Sequence, residues 1–275
     1  MKKVAVLINF YKKELTSEEI ISLKSCISKL KNHNLFFLGP DNIDLTEYKK
    51  NAPDVNFHLV PPIFFKGAIN YSRYLLSENL YKDFKDFDFI LIYQLDCFIF
   101  RDELDFWASK DYDFVGSPLF ENFEENENFQ FLGVGNGGLS IRNVKNIYKL
   151  LNSWEKQTPY LGIVKSKYLA GIQYKLGLVF YKFISSLTGY KYHRPLNSIL
   201  NNHNDDIILG LFYSKELGIL KTPTPLEASR FSTEIHSEYL YEKNNRSLPM
   251  GCHAWQKYEP EFWSRHINTE TENNN

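Results

Sequence analysis

The chain has 275 residues, 43% hydrophobic and 24% charged, with a formal net charge of −1. That length suits one large domain or two small ones, and the near-neutral balance gives no electrostatic reason to expect nucleic acid as a partner. No stretch reaches the roughly eighteen uncharged apolar residues of a membrane span. Cys26, Cys97 and Cys252 are too few and too scattered for a disulfide framework, so the expectation is a cytoplasmic protein.

The N-terminus starts like a signal peptide, but its apolar run is short and Lys12, Lys13 and Glu14 follow at once. Val4–Ile8 therefore reads as a buried first strand. Thr16-Ser17-Glu18-Glu19 opens a helix with a capping residue and early acids, and Ile20, Leu23, Cys26, Ile27 and Leu30 follow at helical spacing. Leu35–Leu38 reads as a second strand, closed by the turn chemistry of Gly39-Pro40-Asp41-Asn42. Val55–Val60 reads as a third, Asn70–Tyr81 as a helix, and Phe89–Tyr93 as a fourth and most apolar strand. Such alternation predicts an α/β fold with parallel pairing. Ligands of open sheets bind at the carboxyl ends of the strands, where Asn9-Phe10-Tyr11 and Gln94-Leu95-Asp96 fall.

The second half is less regular. Tyr112–Val115 is a short strand, Glu121–Asn128 an acidic loop, Leu139–Ile141 a strand and Lys145–Trp154 a helix. From Lys156 to Asn204 there is no Asp or Glu, while six Lys and Arg194 are interleaved with Tyr and Phe. Such a segment could rest on an anionic membrane surface or pack as core helices with solvated lysines. A further helix follows Asp205-Asp206, and the polar tail after Ile267 is expected to fray.

Several constellations could carry chemistry. Asp96 interrupts an apolar run, and a lone carboxylate there is costly unless it pairs or binds something. Gln94 and Asp96, two apart on a strand, share a face and could meet a hard divalent cation whose other ligands come from a diphosphate. Asp96 could also simply cap a turn. Asp205-Asp206 at a helix start could be caps, or one could be a general base. His253 in Gly251-Cys252-His253-Ala254-Trp255 is either a metal ligand or a structural hydrogen-bonder. Asn136, Gly137 and Gly138 form a turn that allows close backbone approach, without dinucleotide or P-loop spacing.

Taken in order, these pieces resemble a bacterial family of GT-A-type glycosyltransferases found among surface-polysaccharide genes. The resemblance runs from Asn9-Phe10-Tyr11-Lys12 through Ala68-Ile69-Asn70-Tyr71-Ser72-Arg73, Tyr93-Gln94-Leu95-Asp96, Asp113-Phe114-Val115-Gly116-Ser117-Pro118 and Gly135-Asn136-Gly137-Gly138 to Asn204-Asp205-Asp206 and Pro249-Met250-Gly251-Cys252-His253-Ala254-Trp255. It implies a GT-A-like, Rossmann-like, mostly parallel central sheet flanked by helices, in a single domain with a helical insertion. Residues 1–118 would be the nucleotide-binding half and 119–267 the acceptor and catalytic half, with the basic aromatic helical segment at 156–204 and a frayed tail at 268–275.

The implied activity moves a sugar from a nucleotide-sugar donor, usually UDP-linked, to a hydroxyl of a glycan or lipid-linked glycan acceptor, with inversion. The implied cofactor is Mn2+ or Mg2+, held by Asp96 and His253. Most GT-A enzymes have Asp-x-Asp on the fourth strand, and here one carboxylate is missing in either register, Gln94-Leu95-Asp96 or Asp96-Cys97-Phe98, of which the first is favoured, with Gln94 near the ribose or sugar. Asp206 takes the place of the general base, with Asp205 second. Asn9, Phe10, Tyr11, Asn70, Arg73, Gln94, Asn136, Gly137 and Gly138 would hold the donor, and Trp255 would offer an acceptor platform. The expected location is cytoplasmic, with peripheral association at the inner face of an anionic membrane as one reading of the basic aromatic segment 156–204. The rival readings are a metal-dependent nucleotidyltransferase, a degenerate nucleotide- or carbohydrate-binding protein, and a zinc site built from Asp96, Cys97, Cys252 and His253.

Overall fold

The structure, a computed structural model, describes residues 2–121, 129–152, 158–159, 187, 193–194, 203–216 and 218–272. In chain order the elements begin with β1 (Val4–Asn9), α1 (Ser17–Lys29), β2 (Asn34–Pro40), α2 (Thr46–Asn51) and β3 (Asn56–Val60). A short 3-10 turn at Pro62–Phe65 leads to α3 (Ala68–Leu75), α4 (Glu78–Asp83), β4 (Phe89–Gln94), β5 (Phe98–Ile99) and α5 (Leu104–Ser109). Then come β6 (Phe114–Val115), β7 (Ser117–Phe120), β8 (Phe131–Gly135), β9 (Leu139–Asn143) and α6 (Val144–Asn152). A small antiparallel pair, β10 (Thr158–Pro159) with β11 (His193–Arg194), precedes α7 (Asp205–Ile207), which runs on as a π-helix over Ile208–Glu216. The chain closes with α8 (Pro225–Phe231), β12 (Ser232–Thr233), α9 (Ser237–Lys243), β13 (Gly251–Cys252) and α10 (Pro260–Glu272).

The central sheet has six strands in the order β3-β2-β1-β4-β9-β6. The first four pair in parallel, and β9 lies antiparallel between β4 and β6. The strand that follows the glycine-rich turn therefore starts at the edge where β1 and β4 end, with Leu139 beside Tyr93. Alternation along the strands feeds two cores. Ala5, Leu7, Ile90 and Ile92 face α4 and α6 on one side, while Val6, Ile8, Leu91 and Tyr93 face α1 and α5 on the other. A third cluster, built on Phe98, Phe100, Trp255 and Trp263, ties α10 to the small β12-β13-β5 sheet.

Local signals explain most boundaries. Thr16 and Glu19 form a capping box at α1. The expected helix over 70–81 is two helices, because Ser77 caps a new start by accepting from Leu80 N. The antiparallel β7-β8 pair is an element the sequence reading lacks, and the last helix runs on to Glu272, into the tail expected to fray after Ile267. The 156–204 segment falls almost wholly outside the described residues. Among the described residues, no helix is long and apolar enough to cross a membrane.

Candidate active site

A cleft of about 360 Å³ opens at the carboxyl ends of β1 and β4, lined by Asn9, Tyr11, Lys12, Tyr71, Gln94 and Asp96 among others. Asn9 ends β1 and is 6% exposed. Its Nδ2 donates to the carbonyls of Leu7 and Tyr93, both at 3.2 Å, so the amide orientation is fixed and Oδ1 is left a buried acceptor without a donor. Tyr11 is 65% exposed at the mouth, and Lys12 pairs with Glu19 at 2.8 Å beside it.

Phe10 is among the residues lining the cleft but is only 1% exposed. It is buried against Phe37 and Tyr48, with ring centroids 5.9 and 4.5 Å away, because strand alternation turns it into the core under the cleft. Arg73 and Asn70 bond to each other, Nη1 to Oδ1 at 3.1 Å, and neither lines the cleft. α3 presents Tyr71 there instead. Trp255 is a core residue rather than an exposed platform, since its indole N–H donates to Ser22 Oγ at 3.0 Å.

Asp96 lies just beyond β4 and meets His253, which follows β13. His253 Nε2 is 3.3 Å from Asp96 Oδ1 and 3.3 Å from Gln94 Oε1, and its Nδ1 is 3.1 Å from Glu234 Oε1. Burial opposes a charge on this imidazole, but the carboxylates of Asp96 and Glu234 overcome it and push the pKa up to about 10. Burial likewise works against ionisation of Asp96, and His253 reverses that to hold the carboxyl below its ordinary range. Asp96 Oδ1 is at ion-pair distance from the ring but out of hydrogen-bond line, so it is a buried acceptor without an aligned donor.

Asp96, Cys97 and His253 bring ligand atoms within 4.8 Å of one another. Together with the orphaned Oδ1, this donor set fits a divalent cation held by Asp96 and His253 Nε2, with Glu234 orienting the far side of the ring. Cys252 is buried but is not among those three ligand atoms.

The turn from Gly135 to Gly138 forms the wall between this cluster and a second one. Gly138 O accepts from Gln94 N at 2.9 Å, which clamps the turn to the end of β4. A Cβ at Gly138 would sit 2.2 Å from His253 Nε2, so only glycine lets the imidazole come this close. Asn136 takes a left-handed φ of 64°, held by its own side chain, which accepts from Gly138 N and donates to Ser117 Oγ. The backbone N–H of Asn136 thereby points at Asp206 Oδ2, 2.8 Å away.

On that side Asp205 and Asp206 have different surroundings. Asp205 is buried, accepts from Arg142 Nη2 at 2.6 Å and from Ser72 Oγ at 2.9 Å, and so is fully engaged. Asp206 remains partly exposed. Burial, reinforced by the neighbouring charge of Asp205, raises its pKa to about 6. Sequence reading missed Glu234, Ser72 and the buried role of Arg142. The one available signal was Arg142 itself, a cation next to Ile141 in a short strand that had to find a buried carboxylate.

A family model described as protein of unknown function (DUF5672) matches residues 54–253, more than half of the chain. The chain belongs to that family. No curated protein matches the sequence of this DUF5672 member significantly. Among solved structures, an active-site mutant of LgtC aligns with a TM-score of 0.51 at 13% identity, over 98% of this chain and 95% of LgtC. LgtC is described elsewhere as a galactosyltransferase in complex with donor and acceptor sugar analogs. The bifunctional glycosyltransferase WbbM gives 0.49 at 13% identity over 94% of this chain and 47% of WbbM, and mouse xyloside xylosyltransferase 1 gives 0.45 at 10% over 91% and 97%. The DUF5672 chain thus has a GT-A-like glycosyltransferase fold, as the sequence resemblance implied.

Proposed function

We propose that this protein is an inverting glycosyltransferase that uses a nucleotide-sugar donor, with Asp206 as general base. The observation that carries the reading is the turn from Gly135 to Gly138, which holds Asp206 on one side and the Asp96–His253 cluster on the other, at one end of the sheet. The donor fits the cleft between Asn9, Tyr11 and Gln94. Asn9 can offer only an acceptor, which suits a base with a ring N–H such as uracil, and Tyr11 is free to cover the base. A divalent cation at Asp96 and His253 would offset charge on the departing diphosphate.

The chain's own residues account for the rest. The acceptor oxygen bonds to the anomeric carbon as the bond from that carbon to the diphosphate oxygen breaks. Asp206 Oδ takes the acceptor proton, and the nucleoside diphosphate leaves with the electron pair. A base with a pKa near 6 is ionised at neutral pH yet still a competent proton acceptor. Asn136 N–H fixes the carboxylate rotamer, and Asp205, tied to Arg142 and Ser72, anchors the helix start that carries it.

The test is thermal unfolding with UDP, GDP, CDP and ATP, each with and without Mn2+, for wild type and Asp96→Ala. Ligand at about 100 times its Kd should add roughly 2.7 kcal/mol. Stabilisation by UDP that needs both Mn2+ and Asp96 supports the reading. Stabilisation by ATP alone favours nucleotidyl transfer, and indifference to every nucleotide overturns the donor site.

A further inference from the structure

At the opposite end of the sheet, where β4 begins and β9 ends, there is a second cavity of about 540 Å³. It is separated from the cleft by the length of β4, roughly 16 Å at the usual strand rise. Four lysines, Lys2, Lys82, Lys85 and Lys145, line it together with one acidic residue, Asp88. That concentration of positive charge stands out in a chain whose formal net charge is −1.

The hydrogen-bonding groups of this wall are unevenly used. Asp88 is committed, with Oδ2 accepting from Lys3 N at 2.8 Å and Oδ1 3.4 Å from Lys2 Nζ. Asn143 Oδ1 accepts from Asn146 N, and Asn146 Nδ2 donates to Asp113. Of the nearby acids, Asp83 pairs with His58 and Asp86 does not line the cavity. The one carboxylate of the wall is therefore engaged, while Lys82, Lys85 and Lys145 have no carboxylate partner among the described residues. Lys145 also lies in the first turn of α6, where no acidic residue offsets the positive end of the helix. A ligand that matches such a wall is rich in acceptors and anionic. Phe87, Phe89 and the half-exposed Tyr148 give it an apolar floor.

We propose that this cavity binds a phosphate-bearing anion at a site separate from the donor cleft. The phosphate could be free or part of a lipid headgroup, and the two sources can be told apart. Inorganic pyrophosphate would be titrated calorimetrically at low salt in excess EDTA, which removes cation-assisted binding at Asp96. Wild type, Asp96→Ala and the triple variant Lys82→Gln/Lys85→Gln/Lys145→Gln would be compared. In parallel, cosedimentation would use phosphatidylcholine vesicles with and without phosphatidylglycerol. The urea midpoint of the triple variant, whose substitutions are all exposed, should match wild type.

Pyrophosphate binding that Asp96→Ala retains and the triple variant weakens about tenfold or more supports a free phosphate ligand, since each charge-assisted hydrogen bond is worth about that much. Binding only to phosphatidylglycerol vesicles, lost in the triple variant, supports a headgroup. Equal affinity of wild type and triple variant, loss of binding in Asp96→Ala alone, or no binding to either probe overturns the site.

Discussion

The two sides of the Gly135 to Gly138 turn each gather two carboxylates around one cation. On one side Asp96 and Glu234 flank His253, and on the other Asp205 and Asp206 sit near Arg142. The cations differ in kind. An imidazole can lose its proton and offer a lone pair, so its cluster can exchange a proton for a metal ion. A guanidinium in a fully buried ion pair stays charged, so the second cluster is fixed. The same number of charges thus gives an exchangeable centre and a permanent one.

Four experiments would break or sharpen this contrast. The largest effect is expected from Asp206→Asn, which should lower turnover by about 10²–10⁴-fold while leaving nucleotide binding intact; unchanged turnover in a donor-consumption assay would remove Asp206 from the mechanism. Next, Asp205→Ala leaves Arg142 buried and unpaired, and should cost about 3–5 kcal/mol in urea unfolding. A loss of activity with wild-type stability would instead make Asp205 a direct participant. Third, Glu234→Gln should weaken metal affinity by roughly 10–100-fold, read by titration of Mn2+ against unfolding temperature, because the far nitrogen of His253 loses its charged partner.

The smallest effect concerns stability and pH. The folded pKa of Asp206, about 6, lies above its ordinary value of 3.8, so the folded state binds the proton more tightly than the unfolded state. Stability contributed by that proton is complete below the unfolded value and is lost as pH rises through about 6. Asp206→Asn should therefore unfold at a higher temperature than wild type above pH 6, with the gain vanishing at the acid end. An equal gain at every pH would show that the acid is not strained by ionisation.

The parallel half of the sheet was legible because buried parallel strands read as continuous apolar runs and α1 advertises its start through Thr16 and Glu19. The antiparallel insertion of β9 was not, because periodicity says what an element is and not which neighbour it joins. In the site, Asp96 was visible as a charge in an apolar run, and its meeting with His253 was implied by family likeness rather than by spacing. Trp255 packs in a core and Phe10 lies buried at the cleft floor, a distinction the sequence does not make, because an aromatic side chain reads alike whether it faces a ligand or a core. Glu234 left no signal, since an acid in the polar stretch before His236 looks like any solvated residue. Asp205 and Asp206 could not be told apart until Arg142 and Ser72 were seen to claim one of them.

The three cysteines, all free and buried, have a practical consequence. Cys97 sits in the site, its thiol donating to Gly138 O at 3.3 Å, and Cys252 immediately precedes His253. A thiol reagent can reach them only when the surrounding structure opens. The rate at which each is labelled is therefore a built-in clock for local unfolding, and any ligand that bridges β4 to the glycine turn will slow the clock at Cys97 and Cys252 before it slows that of Cys26.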